Sequence, residues 1–123
     1  MTIRRGDIYF VRVADLDIAG HEQQKNRPYL IVSRDSVNAA GTHVMGVPLT
    51  TKTHKVGPAR PRIEPQDVTL ESGAQFRLEP SLILTDHMRV LDPRRFHLPR
   101  MGFVLPRKMS EVELALAYLL SLP

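Results

Sequence analysis

A chain of 123 residues suits one domain better than two, and with no cysteine it excludes disulfides, thiolate metal sites and a cysteine nucleophile. Hydrophobic residues make up 42% and charged residues 24%, with neither an apolar run near 18 residues nor an apolar leader, so a globular cytoplasmic protein without a membrane span is expected. Seventeen Lys and Arg against thirteen Asp and Glu give a net charge of +4, which suits a polyanionic partner and equally a well-solvated surface.

Taken in chain order, Ile8–Val13 is rich in strand formers and reads as a first strand. The polar stretch from Asp15 to Arg27 reads as a long loop, too long for a tight hairpin. Tyr29–Val32 is a continuous apolar run of the buried-strand type, and Ser33 or Asp35 would cap a short helix through Asn38. His43–Leu49 predicts a third strand, with Gly46 and Pro48 marking a bulge or an edge. Thr51–Pro61 resists regular structure. Weaker strands are expected around 62–64, 68–70 and 76–78, and firmer ones at Leu82–Thr85 and Met88–Leu91. Ser110 and Glu113 have capping-box spacing, Met109 and Leu114 that of a hydrophobic staple. Val112, Ala115, Leu116 and Leu119 would then form the buried face of a C-terminal helix. Many short strands and ten prolines suggest a small β-barrel, because closure removes exposed sheet edges.

The basic residues cluster. Residues 50–62 hold Lys52, Lys55, Arg60 and Arg62 with no acid, and residues 89–108 hold six basic residues against Asp92 alone. This is either a phosphate footprint or a solvated face. The five histidines lack metal-site spacing, so no metal or other cofactor is expected. Arg5-Gly6-Asp7 matches an adhesion motif in letters only and is expected to start a strand. What remains is two polar groups at strand ends: Glu22, Gln23, Lys25, Asn26 and Arg27 before the second strand, and Thr50, Thr51 and Lys52 after the third. If the strands are neighbours, these groups meet. Arg beside Thr and a carboxylate suits phosphoryl chemistry, since a guanidinium binds two phosphate oxygens at once. A structural ion pair and strand-forming threonines explain the same residues more simply.

Several segments are similar to one known family. Arg5-Gly6-Asp7-Ile8-Tyr9 resembles the opening of MazF/PemK toxins. Gly20-His21-Glu22-Gln23 with Asn26-Arg27-Pro28-Tyr29-Leu30-Ile31-Val32 resembles their G-x-E-Q…R-P-x-L-V segment. Pro48-Leu49-Thr50-Thr51-Lys52 resembles P-[IL]-T-[ST]-Q, and Asp86-His87-Met88-Arg89 resembles D-Q-x-R. The order of these motifs spans nearly the whole chain. The resemblance implies a mainly β, SH3-like barrel of the MazF/PemK/CcdB type with a C-terminal helix, one domain over residues 1–123, and a homodimer. It implies the toxin of a type II toxin–antitoxin system, a metal-independent endoribonuclease for single-stranded RNA such as mRNA, held in check by an acidic, partly disordered antitoxin segment.

Residue by residue, the resemblance assigns catalysis to Arg27 and Thr50, with Glu22 preferred over His87 for proton transfer. It places His21, Gln23, Asn26, Thr51, Lys52, Asp86, His87 and Arg89 around the RNA groove, with Arg5 and the basic 52–62 loop, Arg60 included, as further backbone contacts. Lys52 and His87 stand where the family has Gln, and Gln24-Lys25 replace its glycine pair, so the cleaved RNA word does not transfer. Two rival readings stay open. A CcdB-like gyrase poison would share the barrel but end in a Trp-Gly-Ile that this chain lacks; a non-catalytic SH3-like nucleic-acid-binding module would use the basic clusters without cutting.

Overall fold

The computed structural model describes residues 2–16, 22–71, 73 and 77–123. Eight strands appear in the order β1 (Asp7–Leu16), β2 (Glu22–Ile31), β3 (Val44–Thr50), β4 (Arg62–Ile63), β5 (Val68–Leu70), β6 (Ser81–Ile83), β7 (Arg89–Leu91) and β8 (Phe96–Val104). Helix α1 (Asp35–Ala39) lies between β2 and β3, and α2 (Pro106–Leu119) follows β8. Every pairing is antiparallel, in the spatial order β4-β6-β3-β2-β1-β8-β5, with β7 joined to β3. The sheet curls into a half-barrel. The end strands β4 and β5 are two and three residues long, which leaves little exposed edge.

Alternation along the first two strands sorts the core into two clusters. Ile8 and Leu30 join Val47, Ile63, Ile83, Met109 and Val112 on the side covered by α2. Tyr9, Val11, Val13, Tyr29 and Ile31 face the other way and pack with Val44, Leu91 and Phe96.

Several expectations change. Much of the polar stretch from Asp15 to Arg27 is strand: β1 and β2 pair from Ile8↔Leu30 out to Leu16↔Glu22. Backbone pairing fixes these arms, and no hydrophobic pattern announces them. β3 is central, because its first half pairs with β7 and its last residues with β6. Pro48 sits at the changeover, where its carbonyl accepts from the Leu84 N–H at 3.0 Å. β8 was not foreseen, since its Pro99 and Gly102 read as breakers. Of the weak 76–78 strand, Phe76 lies outside the described residues, and Arg77 and Leu78 are not strand.

The C-terminal helix begins one turn earlier than its capping-box spacing implied. Pro106 occupies the first turn, where its missing N–H is no loss. Ser110 is therefore inside the helix, its hydroxyl donating to Pro106 O at 3.2 Å, while Glu113 pairs with Arg5 Nη1 at 3.0 Å. Met109, Val112 and Ala115 are buried, but Leu114 is 72% exposed, so there is no staple, and Leu119 also faces out. In α1 neither Ser33 nor Asp35 caps. Ser33 Oγ bonds Asn38 Oδ1 and accepts from the Met45 N–H, and Asp35 accepts from the Arg5 N–H at 2.7 Å.

Arg5-Gly6-Asp7 does start a strand. Gly6 takes a positive φ of 97°, a conformation suited to glycine. Asp7 is buried, accepting from Arg4 N–H at 2.9 Å and from Arg100 Nη1 at 2.7 Å. Among the described residues no helix is long and apolar enough to cross a membrane.

Candidate active site

Antiparallel register brings the two polar strand ends together. β2 and β3 pair Ile31↔Gly46, Leu30↔Val47 and Tyr29↔Pro48. Two residues beyond the Tyr29↔Pro48 pair on each strand, Arg27 and Thr50 line the same cleft. On its other side Thr50 pairs with Leu82 of β6. The end of β3 thus lies between the strand bearing Arg27 and the segment leading into β6, and a cleft of about 750 Å³ opens there.

Arg27, Thr50, Thr51, Lys52, Arg60 and His87 all line this cleft, with Lys55, Arg77, Glu79 and Ser81 beside them. Pro28, Leu49, Leu78 and Leu84 supply its apolar lining. The Thr50 hydroxyl accepts from the Lys52 N–H at 3.2 Å, which turns the chain out of the strand and leaves the hydroxyl proton available for donation.

One wall is cross-braced. Arg60 grips Asp86 with two parallel bonds, Nε to Oδ1 at 3.0 Å and Nη2 to Oδ2 at 2.8 Å, and donates from Nη1 to Lys55 O at 2.8 Å. The hydrogen bond from Arg60 holds the Asp86 carboxyl below its ordinary pKa, and the same bond raises that of Arg60. His87 Nε2 lies 3.3 Å from Arg60 Nη2. A guanidinium only donates, so this nitrogen accepts. Beneath, Thr85 Oγ1 donates to Ala59 O in the interior, tying the loop after β3 to the turn before β7.

Other expected site residues lie elsewhere. Arg5 donates to Val32 O and pairs with Glu113. Asn26 Oδ1 lies 3.1 Å from His97 Nε2 of β8. Arg89 lines a separate groove with Arg12, His43 and Arg95. Asp86 is occupied by Arg60. His21 lies outside the described residues; Glu22 and Gln23 begin β2, with their backbone placed and their side chains outside the description. Lys55, in the basic 52–62 loop expected to contact the RNA backbone, lines the cleft; the sequence reading missed Arg77, Glu79 and Ser81, which reach it only through contacts distant in sequence. Among the described residues no three His, Asp or Glu side chains gather closely enough to hold a metal.

The family description "PemK-like, MazF-like toxin of type II toxin-antitoxin system" matches residues 4–120. The chain belongs to the PemK/MazF toxin family. Solved structures agree in fold. An endoribonuclease in complex with its cognate antitoxin, from a mycobacterial species, is 25% identical with a TM-score of 0.70, covering 99% of this chain and 96% of that one. An endoribonuclease from a mycobacterial species is 24% identical at a TM-score of 0.68, covering 100% and 95%. MazF from Deinococcus radiodurans is 24% identical at 0.67, covering 99% of both chains.

Proposed function

We propose that this PemK/MazF toxin is a sequence-selective, metal-independent endoribonuclease that cuts single-stranded RNA, mRNA included. The observation that carries this is Arg27 and Thr50, at the ends of neighbouring strands, in the lining of one cation-lined cleft. The ribose 2′-oxygen attacks the adjacent phosphorus as the bond to the 5′-oxygen breaks, leaving a 2′,3′-cyclic phosphate and a 5′-oxygen that takes a proton from solvent to become a 5′-OH. Arg27 holds the negative oxygens of the phosphorane and Thr50 donates a hydrogen bond to it. Arginine stays protonated and is a poor base, so the 2′-OH proton goes to a carboxylate or imidazole. The candidate acceptors are Glu22, which stands five extended residues from Arg27, about 16 Å along β2, and His87, whose Nε2 already faces Arg60.

Lys52, Lys55 and Arg77 attract the RNA backbone. The required 2′-OH selects RNA over DNA, and reading base edges requires a single strand. The protein acts as a cytoplasmic homodimer of one-domain chains. An acidic segment of its antitoxin, ordering as it binds, competes for the cationic cleft. A neighbouring endoribonuclease structure is itself described as a complex with a cognate antitoxin.

The test is a long single-stranded RNA incubated with the protein in excess EDTA, beside Arg27→Ala, with ends mapped. Discrete cuts with 5′-OH ends are expected, slowed about 10²-fold or more in the variant. Intact RNA with folded protein refutes the reading and favours a binding module that does not cut. A pH–rate profile without a step between about 5 and 8 excludes His87 as the essential base.

A further inference from the structure

Resting on the ribonuclease reading of the same cleft, the geometry points to Glu79 as a base-reading residue that selects guanine and disfavours uracil at one position of the cleaved RNA. Among the described residues lining the cleft, Glu79 is the sole carboxylate. It shares that lining with Arg27, Lys52, Lys55 and Arg77. The other acid nearby, Asp86, is consumed by Arg60. Among the described residues the Glu79 carboxylate has neither an ion-pair nor a hydrogen-bond partner, and the side chain is exposed.

Its backbone, by contrast, is held. Leu78 before it and Ser81 after it are buried, Pro80 restricts the chain between them, and the Ser81 hydroxyl donates to Glu79 O at 2.7 Å. Leu82, three residues on, pairs with Thr50. Glu79 therefore stands on an anchored segment that shares the cleft lining with Arg27 and Thr50.

A carboxylate is the wrong group for a phosphate, which it repels. It has acceptors only, so it is satisfied by N–H donors, and single-stranded RNA offers these on its base edges. Guanine presents N1–H and an N2 amino group side by side, matching two carboxylate oxygens. Cytosine and adenine offer one amino group flanked by an acceptor. Uracil offers one N–H between two carbonyl oxygens, both of which oppose the carboxylate. Arg77 enters the cleft from the same segment two residues earlier and supplies a phosphate contact next to this base contact.

The test compares the intact protein with Glu79→Gln and Glu79→Ala on a randomised single-stranded RNA pool in EDTA, sequencing the new ends. The pH–rate profile is recorded on the preferred site. Wild type is expected to favour guanine at one position of its cut motif by about tenfold to 100-fold over uracil. Both variants lose that preference there, and Glu79→Gln gains adenine or uracil, because an amide both donates and accepts. The other positions of the motif keep their preferences. An unchanged motif in both variants overturns the assignment, as does a wild-type motif indifferent to guanine. A flattened pH profile at unchanged motif makes Glu79 a proton-transfer group instead and overturns it too. If folded wild type leaves the whole pool uncut, the ribonuclease reading fails and takes this assignment with it.

Discussion

Gly102→Ala offers a quantitative test of how β8 is seated. Gly102 pairs with Ile8 of β1 on one side and Leu70 of β5 on the other. A Cβ there would lie 3.0 Å from Leu70 Cα and 3.1 Å from the Thr69 carbonyl carbon, and would press into the Thr69 oxygen. Carbon atoms ordinarily rest at about 3.5–4.0 Å, so roughly 0.5–1 Å must come from moving backbone. Overpacking of this kind costs about 1–3 kcal/mol. If β5 lifts away instead, two or three ladder bonds at about 1 kcal/mol each give a similar figure. The narrower unfolded ensemble of alanine offsets about 0.4–1 kcal/mol. The net expectation is a loss of about 1–2 kcal/mol, or a Tm lower by about 4–8 °C for a chain of this size. Urea denaturation followed by circular dichroism reads the stability change. Amide exchange at Glu71, whose N–H donates to Met101 O at 2.9 Å, reads the loosening of β5. A midpoint and an exchange rate equal to wild type refute the claim that backbone proximity forces glycine here.

Arg100→Met strands Asp7, which is 1% exposed and keeps only the Arg4 N–H; because Arg100 is itself partly exposed, a loss of about 2–3 kcal/mol is expected in urea, and adding Asp7→Asn should recover part of it. Asp86→Asn frees the Arg60 guanidinium for phosphate, so the plot of log K against log salt for single-stranded RNA should steepen by about 0.7; an unaltered slope means that Arg60 does not reach the backbone. Asp92 is held at a pKa of about 2 by the side chain and then the backbone N–H of Arg94. Its folded value lies below its unfolded value of about 3.9, so its stabilisation is present above that pH and fades as pH falls toward 2. The stability difference between wild type and Asp92→Asn, followed by urea midpoints, should therefore shrink between about pH 4 and pH 2, and a constant difference contradicts the assignment.

What could be read from the chain was what burial decides. Ile8–Val13 and Tyr29–Ile31 announce themselves because their side chains fill the two core clusters. Glu22–Arg27 does not, because only backbone pairing to β1 makes it strand. β8 was hidden by the residues its position needs: Gly102 for close approach to β5, and Arg100 as counter-charge to Asp7. Ser110 misled because Pro106 offered an earlier helix start. In the cleft, Arg27 and Thr50 were legible as strand-end groups, and antiparallel direction supplied what was missing. Arg77 and Glu79 carried no local signal, since the segment entering β6 becomes a cleft wall only when Leu82 pairs with Thr50.

The cleft is built partly from strands and partly from the segments that connect them. Arg27 and Thr50 belong to β2 and β3, inside the sheet, whereas Lys52, Lys55, Arg77 and Glu79 belong to connecting segments around it. If the proposed roles hold, substitutions in those segments would alter what the protein reads while the ladder carrying Arg27 and Thr50 stays in place. Descendants of such a chain would then acquire new target words one side chain at a time, without refolding and without reinventing the cut.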